Sequence, residues 1–196
     1  MEIKDGNTDY TPPLEDNRLG ITDKNLINMY EASGITKAEL YLQELDIDTC
    51  FGISLVLDLH RMAFGELYDW AGKWRTIDVQ VGKLSPPIFT KVPNLMYQYA
   101  DEVDFKLSTS SKKEELAEIF AYLHHRFVWI HPFNNGNGRT ARLLLDFAAL
   151  SKGYEPIYLY HREGEARKNY IDALRKADEG NYKALSTMIL TKLTPF

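Results

Sequence analysis

Residues 131–142 read His-Pro-Phe-Asn-Asn-Gly-Asn-Gly-Arg-Thr-Ala-Arg, and a helical apolar pattern, Ala141, Leu144, Phe147 and Ala148, follows at once. A glycine-bearing loop that enters a helix offers backbone N–H groups with no intrahelical acceptor, together with the positive end of the helix dipole; both suit a phosphate. Arg139 and Arg142 fall one turn apart on one helix face and can add charge-assisted contacts to the same anion. His131, at the mouth of the loop, is the side chain best suited to take a proton near neutral pH. Base, anion cradle and cations in one short stretch point to chemistry on a nucleotide phosphate.

Each of these residues also has a plainer reading. A histidine before proline can cap the last carbonyls of a helix, although the residues that follow His131 favour chemistry. Asn-Gly steps favour tight hairpin turns, but both flanks here are helical. Asn137 can be an N-cap for the helix it opens. Arg139 opposes the dipole of a buried helix unless an anion is present. For Arg142, an ion pair with Asp146 four residues on is an alternative. Phe133 reads as an anchor beneath the loop.

Moving outward, Leu116, Ile119, Phe120, Leu123, Phe127 and Ile130 keep helical spacing and predict a helix over 112–130, stopped by Pro132. The central buried helix is expected over 138–152, with Gly153 as its C-cap. Val92, Leu95, Met96, Tyr99 and Val103 predict another helix, and Tyr170 to Ala177 and Tyr182 to Ile189 two more. Ile53 to Leu67 predicts a long helix starting at Asp48-Thr49 and ending at Ala71-Gly72. Ahead of it, an N-cap at Thr22-Asp23 opens a helix carrying Leu26, Ile27, Met29 and Tyr30, which Ser33-Gly34 is expected to break before a run with Ala38, Leu40, Leu42 and Leu45. Residues 1–20, with Pro12-Pro13, read as an irregular arm, and Pro156 to Tyr160 as a short extended piece. Ile77, Val79 and Val81 alternate with Asp78 and Gln80, Gly82-Lys83 makes a turn, and Pro86-Pro87 forbids a central strand. That segment is expected to be a small β-hairpin flap; its alternative is an ordinary surface hairpin. The fold class is all-α, a helical bundle with one β-hairpin flap, divided into an N-terminal arm and helical extension (1–48) and a core domain (49–196).

With 196 residues, 44% apolar and 26% charged, the chain can bury a real core. A net charge of −5 gives no basic field for nucleic acid. The apolar run Leu143 to Leu150 contains Asp146 and is too short to span a bilayer. Neither a nucleic-acid nor a membrane partner is expected. A single cysteine, Cys50, cannot form an internal disulfide and is read as a small buried apolar residue. Met1 to Gly6 lacks the apolar core of a signal peptide, and the expected location is the cytoplasm, with export by another signal as the alternative. His124 and His131 stand seven residues apart, yet no Cys or acidic residue completes a zinc set at ligand spacing. His60 and His161 are read as structural or surface residues.

The 131–142 segment resembles the signature of the Fic proteins, His-Pro-Phe-x-(Asp/Glu)-Gly-Asn-(Gly/Lys)-Arg followed by a second arginine. Phe64-Gly65-Glu66-Leu67-Tyr68-Asp69-Trp70-Ala71-Gly72-Lys73-Trp74-Arg75-Thr76 resembles that family's aromatic-Trp-Ala-Gly-x-x-Arg segment, and the likeness extends over roughly 49–193. The resemblance implies a Fic-fold helical bundle and a protein adenylyltransferase: ATP as substrate, AMP moved to a Ser, Thr or Tyr hydroxyl of a target protein. It implies His131 as general base, and Asn135, Gly136, Asn137, Gly138, Arg139 and Arg142 as the nucleotide and phosphate site. Ile77, Asp78, Val79, Gln80, Val81 and Gly82 would form the flap that pairs with the target. Mg²⁺ or Mn²⁺ would sit on the nucleotide phosphates.

Asn135 departs from the pattern. The family has a carboxylate there to hold Mg²⁺, and a neutral amide suits that hard cation less well. Three readings follow: a slower transferase, a relative that transfers a different phosphate-containing group, or a nucleotide-binding or interaction domain that kept the fold. The family's inhibitory pattern, Ser/Thr-x-x-x-Glu-Gly/Asn, is approached only by Thr11 to Asp16, where two prolines oppose a helix. Regulation is left open to a separate inhibitory partner. The target protein and the oligomeric state are likewise open.

Overall fold

A computed structural model describes residues 17–46, 48–82, 84–159 and 163–196. The expected arm before residue 17, the possible inhibitory pattern at 11–16, Lys83 of the flap turn, Tyr160 and His161 lie outside the described residues. Seven α-helices follow in order: α1 (Lys24–Glu44), α2 (Ile53–Phe64), α3 (Val92–Thr109), α4 (Lys113–Ile130), α5 (Asn137–Leu150), α6 (Gly164–Asp178) and α7 (Lys183–Leu190). One 3-10 turn, Phe89–Lys91, leads into α3.

The expected helices α3 to α7 form close to where the apolar spacing places them. α5 is the hub: Leu143, Leu144, Leu145, Ala148 and Ala149 are all buried, because α4, α2 and α1 cover it from different sides. α4 fills the middle layer with Leu116, Phe120, Leu123, Phe127 and Ile130, packed against α3 on one side and α7 on the other.

Four expectations are corrected. Ser33-Gly34 does not break a helix; α1 runs unbroken for 21 residues, started by the Asp23 carboxylate, which accepts the Asn25 N–H. Gly34 is there for contact: a Cβ on it would stand 2.0 Å from the carbonyl oxygen of Ala63, so it is the point at which α1 lies against α2. The inward stripe is consequently Ile27, Gly34, Ala38 and Leu42, whereas Leu26, Met29 and Leu40 face outward. α2 ends at Phe64, with Gly65 closing it onto the carbonyl of Arg61, and not at Ala71-Gly72. Residues 65–75 instead fold as successive turns, with Gly72 at φ 70. Cys50 is exposed rather than buried.

The flap is the fourth. Among the described residues no strand forms; a single antiparallel bridge joins Val81 and Leu84, whose backbones exchange both hydrogen bonds. The alternation of Ile77, Val79 and Val81 does not bury one face, since Ile77 is 61% exposed. Side chains hold the arms together in place of a ladder. Asp78 Oδ1 accepts the Phe89 N–H at 2.7 Å, and the Ser85 hydroxyl donates to Gln80 Oε1 at 2.9 Å.

Candidate active site

α4 ends at Ile130, and His131 alone separates it from Pro132. The residue preceding a proline is sterically barred from the right-handed helical region, and His131 turns to φ 51, ψ 60. It is the one non-glycine with positive φ among the described residues. That conformation costs a non-glycine residue on the order of 1 kcal/mol and persists because both ends of its peptide are held. Its N–H donates to the carbonyl of Phe127 at 3.0 Å, and its carbonyl accepts Nε–H of Arg75 at 2.8 Å. The reversal keeps the imidazole 6% exposed. Nδ1 lies 3.3 Å from the carbonyl of Val128, and a carbonyl can only accept, so Nδ1 carries a hydrogen and in the neutral ring the lone pair falls on Nε2. That is the tautomer of a base.

The loop then folds back on itself. The Asn137 side chain does not cap α5, as the sequence allowed; its Oδ1 accepts the Phe133 N–H at 2.9 Å and its Nδ2 donates to the Phe133 carbonyl at 2.8 Å. Gly136 takes the cap position at φ 75. A Cβ there would meet the Phe64 ring at 2.5 Å, so only glycine fits. The first bond of the α5 ladder runs from the Thr140 N–H to the Gly136 carbonyl. The N–H groups of Asn137, Gly138 and Arg139 therefore precede the ladder at the positive end of the dipole.

Arg139 lies over the Phe64 ring, 4.5 Å from its centroid, and its Nη1 bonds Glu31 Oε2 of α1 at 2.8 Å. Its Nε is buried without an acceptor among the described residues. A buried donor left unpaired costs about 1–3 kcal/mol, which an anion at the loop would relieve. Arg142 follows one turn later on α5, half-buried. The Asp146 carboxylate accepts the Ile157 N–H at 2.9 Å; its pKa is pushed up to about 7, chiefly by burial.

Asn135 is 3% exposed, and its Oδ1 accepts the Gly136 N–H at 2.6 Å. The amide oxygen that would have to take a cation is thus turned into the loop and already engaged. Among the described residues no three His, Cys, Asp or Glu side chains gather as a protein-built metal site needs. The donor set here does not fit a protein-held Mg²⁺.

Phe133 anchors the loop as expected: it is fully buried, stacked on His60 with centroids 3.5 Å apart and on Trp74 at 5.1 Å. Trp70 packs against His60, Phe64 and Tyr68, and the Arg75 N–H donates to the Pro132 carbonyl at 2.8 Å.

A model of the Fic/DOC family matches residues 50–149. The chain belongs to the Fic/DOC family. Among its relatives, the protein adenylyltransferase Fic of Nematostella vectensis is 26% identical over 185 residues, 91% of this chain and 42% of that protein. The protein adenylyltransferase fic-1 of Caenorhabditis briggsae is 36% identical over 129 residues, 65% of this chain and 24% of that protein. The chain thus spans less than half the length of these curated relatives. Among solved structures, Fic-1 from C. elegans has a TM-score of 0.71 at 28% identity, covering 88% of this chain and 50% of that one. BepC of Bartonella tribocorum, solved with bound AMPPNP, has a TM-score of 0.76 at 17% identity over 92% of both chains, a likeness of fold.

The Fic loop rests on residues the sequence did not single out. His60 is fully buried on α2. Its Nδ1 accepts the Gly72 N–H at 2.8 Å, so Nε2 bears the hydrogen and donates to the Asn135 carbonyl at 3.0 Å. Burial holds its pKa down at about 3, and it stays a neutral bridge between the flap approach and the Fic loop. Its signal was faint: a lone histidine on the apolar face with Val56, Leu59 and Ala63. Glu31 had a clearer one, since it stands between Ile27 and Gly34 on the inward stripe of α1, where a carboxylate needs a partner. His124 and His125 serve packing. The Nδ1–H of His124 faces the Ala141 carbonyl at 3.4 Å, so its Nε2 accepts the Tyr170 hydroxyl at 2.7 Å. His125 joins Asp178 at 2.9 Å and the Tyr182 hydroxyl at 3.1 Å.

Proposed function

We propose that this chain is a protein adenylyltransferase. The observation that carries the reading is His131: a buried imidazole held in a left-handed turn, with Nδ1–H tied to Val128 and the lone pair on Nε2. The loop 132–136 leads from it to the first turn of α5. In this reading the ATP phosphates lie against the N–H groups of residues 137–139, with Arg139 and Arg142 beside them. Nε2 of His131 takes the proton of a Ser, Thr or Tyr hydroxyl of a target protein. The hydroxyl oxygen attacks the α-phosphorus, the bond from that phosphorus to the bridging oxygen breaks, and pyrophosphate leaves with the electron pair. The names of the relatives support the donor and the acceptor class. The exposed arm at residues 77–82 would present the target by backbone pairing. A cytoplasmic location belongs to the same reading; no helix of the described residues is long and apolar enough to cross a membrane.

The engaged amide oxygen of Asn135 favours one alternative, transfer of a different phosphate-containing group by the same base. One experiment separates the two. Wild type and His131→Ala are incubated with ATP labelled at the α- or the γ-phosphate, and self-modification and lysate labelling are followed. Label from the α position only, lost in the variant, is expected. Label from γ only would replace the adenylyltransferase with a phosphotransferase, and equal turnover in His131→Ala would remove the base.

A further inference from the structure

Among the described residues Arg75 is the largest side chain that is almost wholly buried, 2% exposed. A guanidinium is rarely placed so deep unless every face of it is used. Here Nε–H donates to the carbonyl of His131 at 2.8 Å and Nη1 to that of Ile77 at 2.8 Å, while Nη2 donates to that of Pro87. The backbone N–H of the same residue holds the next carbonyl of the loop, that of Pro132. Ile77 begins the flap and Pro87 ends it. His131 is the residue whose peptide is bent into the left-handed region.

We propose that Arg75 is a positioning residue that couples the flap to the base, its one planar fork fixing both flap arms and the His131 peptide in a single geometry. The proposal rests on the reading of His131 as the base. No strand ladder links the flap arms among the described residues; near the tip they are joined by the Val81–Leu84 bridge and the Ser85–Gln80 bond, and at the base their spacing is set by this fork and by Asp78, which bonds the Phe89 N–H and lies 3.7 Å from Nη1. Displacement of either arm therefore pulls on the fork, and through Nε on the peptide that sets the direction of the imidazole. An acceptor seated along the flap would hold the arms at their spacing and the base on its line of attack. Lysine cannot substitute: its ammonium is a point donor that cannot span carbonyls from separate segments in fixed directions.

Two variants test this in the full chain. Asp78→Ala loosens the flap base at an exposed side chain, and Arg75→Lys removes the fork. Hydrogen–deuterium exchange over 77–89 and 131–137 needs no activity. Exchange should rise in both segments in Asp78→Ala, and further in Arg75→Lys. A rise confined to 77–89 in Asp78→Ala overturns the coupling, even if Arg75→Lys fails to fold. In α-labelled ATP assays, kcat for transfer in Arg75→Lys should fall on the order of a hundredfold, with ATP affinity within about twofold of wild type. A parallel loss of ATP affinity would mean that Arg75 only holds the fold together, and would also overturn it. Absence of transfer by wild type would sink the adenylyltransferase reading, while the exchange result would still decide the coupling.

Discussion

Glu31 of α1 and Arg139 of α5, 108 residues apart in sequence, meet at 2.8 Å with both side chains largely buried. The second carboxylate oxygen of Glu31 accepts the hydroxyl of Tyr68 at 3.0 Å. One acidic group thereby joins the first helix, the turns after α2 and the cationic side of the Fic loop. In the absence of a phosphate it supplies the counter-charge that a guanidinium at a helix N-terminus requires.

At the proposed site, an incoming triphosphate would share Arg139 with that carboxylate or displace it. Glu31→Gln keeps the shape and removes the charge, so ATP should bind about tenfold more tightly. Calorimetric titration of both proteins with ATP checks this. Weaker binding in the variant would mean that Glu31 aims Arg139 instead of competing for it.

Gly34 sets how closely α1 can lie on α2. Because a Cβ there would stand 2.0 Å from a backbone oxygen, Gly34→Ala must push the helices apart and should cost about 1–3 kcal/mol. Gly52→Ala, where no atom lies within 4 Å, is the control. Urea unfolding of both variants measures the difference, and equal midpoints would show that α1 yields without penalty.

The dependence of stability on pH has two parts of opposite sign. Burial lowers the pKa of His60 and of His124 from 6.5 to about 3. The unfolded chain therefore binds protons that the folded one refuses, and stability present above pH 6.5 is lost as the pH falls toward about 3. Asp146 is raised from 3.8 to about 7, so its contribution is present below pH 3.8 and is lost as the pH rises through about 7. Asp146→Asn should leave the acid loss intact and steepen the climb in stability from pH 4 to 7. Unfolding midpoints across that range test this; an unchanged curve would place Asp146 outside the titration.

Asn135→Asp offers the Gly136 N–H the same acceptor oxygen and places a second oxygen where the amide nitrogen was. Wild-type transfer should depend only weakly on added Mg²⁺, and the variant should gain activity as Mg²⁺ is titrated in. Superimposable Mg²⁺ curves would show that position 135 does not set the metal requirement.

The Fic loop was legible in the sequence because its chemistry is local. Proline, glycine, asparagine and arginine each act within a few residues, and the helices on either side keep an unambiguous period. What escaped reading acts across the chain. Gly34 looks like a breaker when its partner Ala63 is unknown, and choosing the wrong stripe on α1 hid Glu31 among surface charges. His60 and Arg75 bond to backbone carbonyls and amides, which carry no residue identity for a pattern to register. The flap misled for a related reason: alternating β-branched residues promise a ladder, but Asp78, Gln80 and Arg75 tie the arms from their side chains.

That way of closing the flap leaves its tip structurally independent of its base. Among the described residues the hydrogen bonds that Arg75 and Asp78 make here fall at Ile77 and Asp78 on one arm and at Pro87 and Phe89 on the other. The intervening stretch is a replaceable cassette. If this stretch presents acceptor proteins as proposed, a few of its exposed residues can be rewritten while Ile77, Asp78, Pro87 and Phe89 keep their bonds at the base.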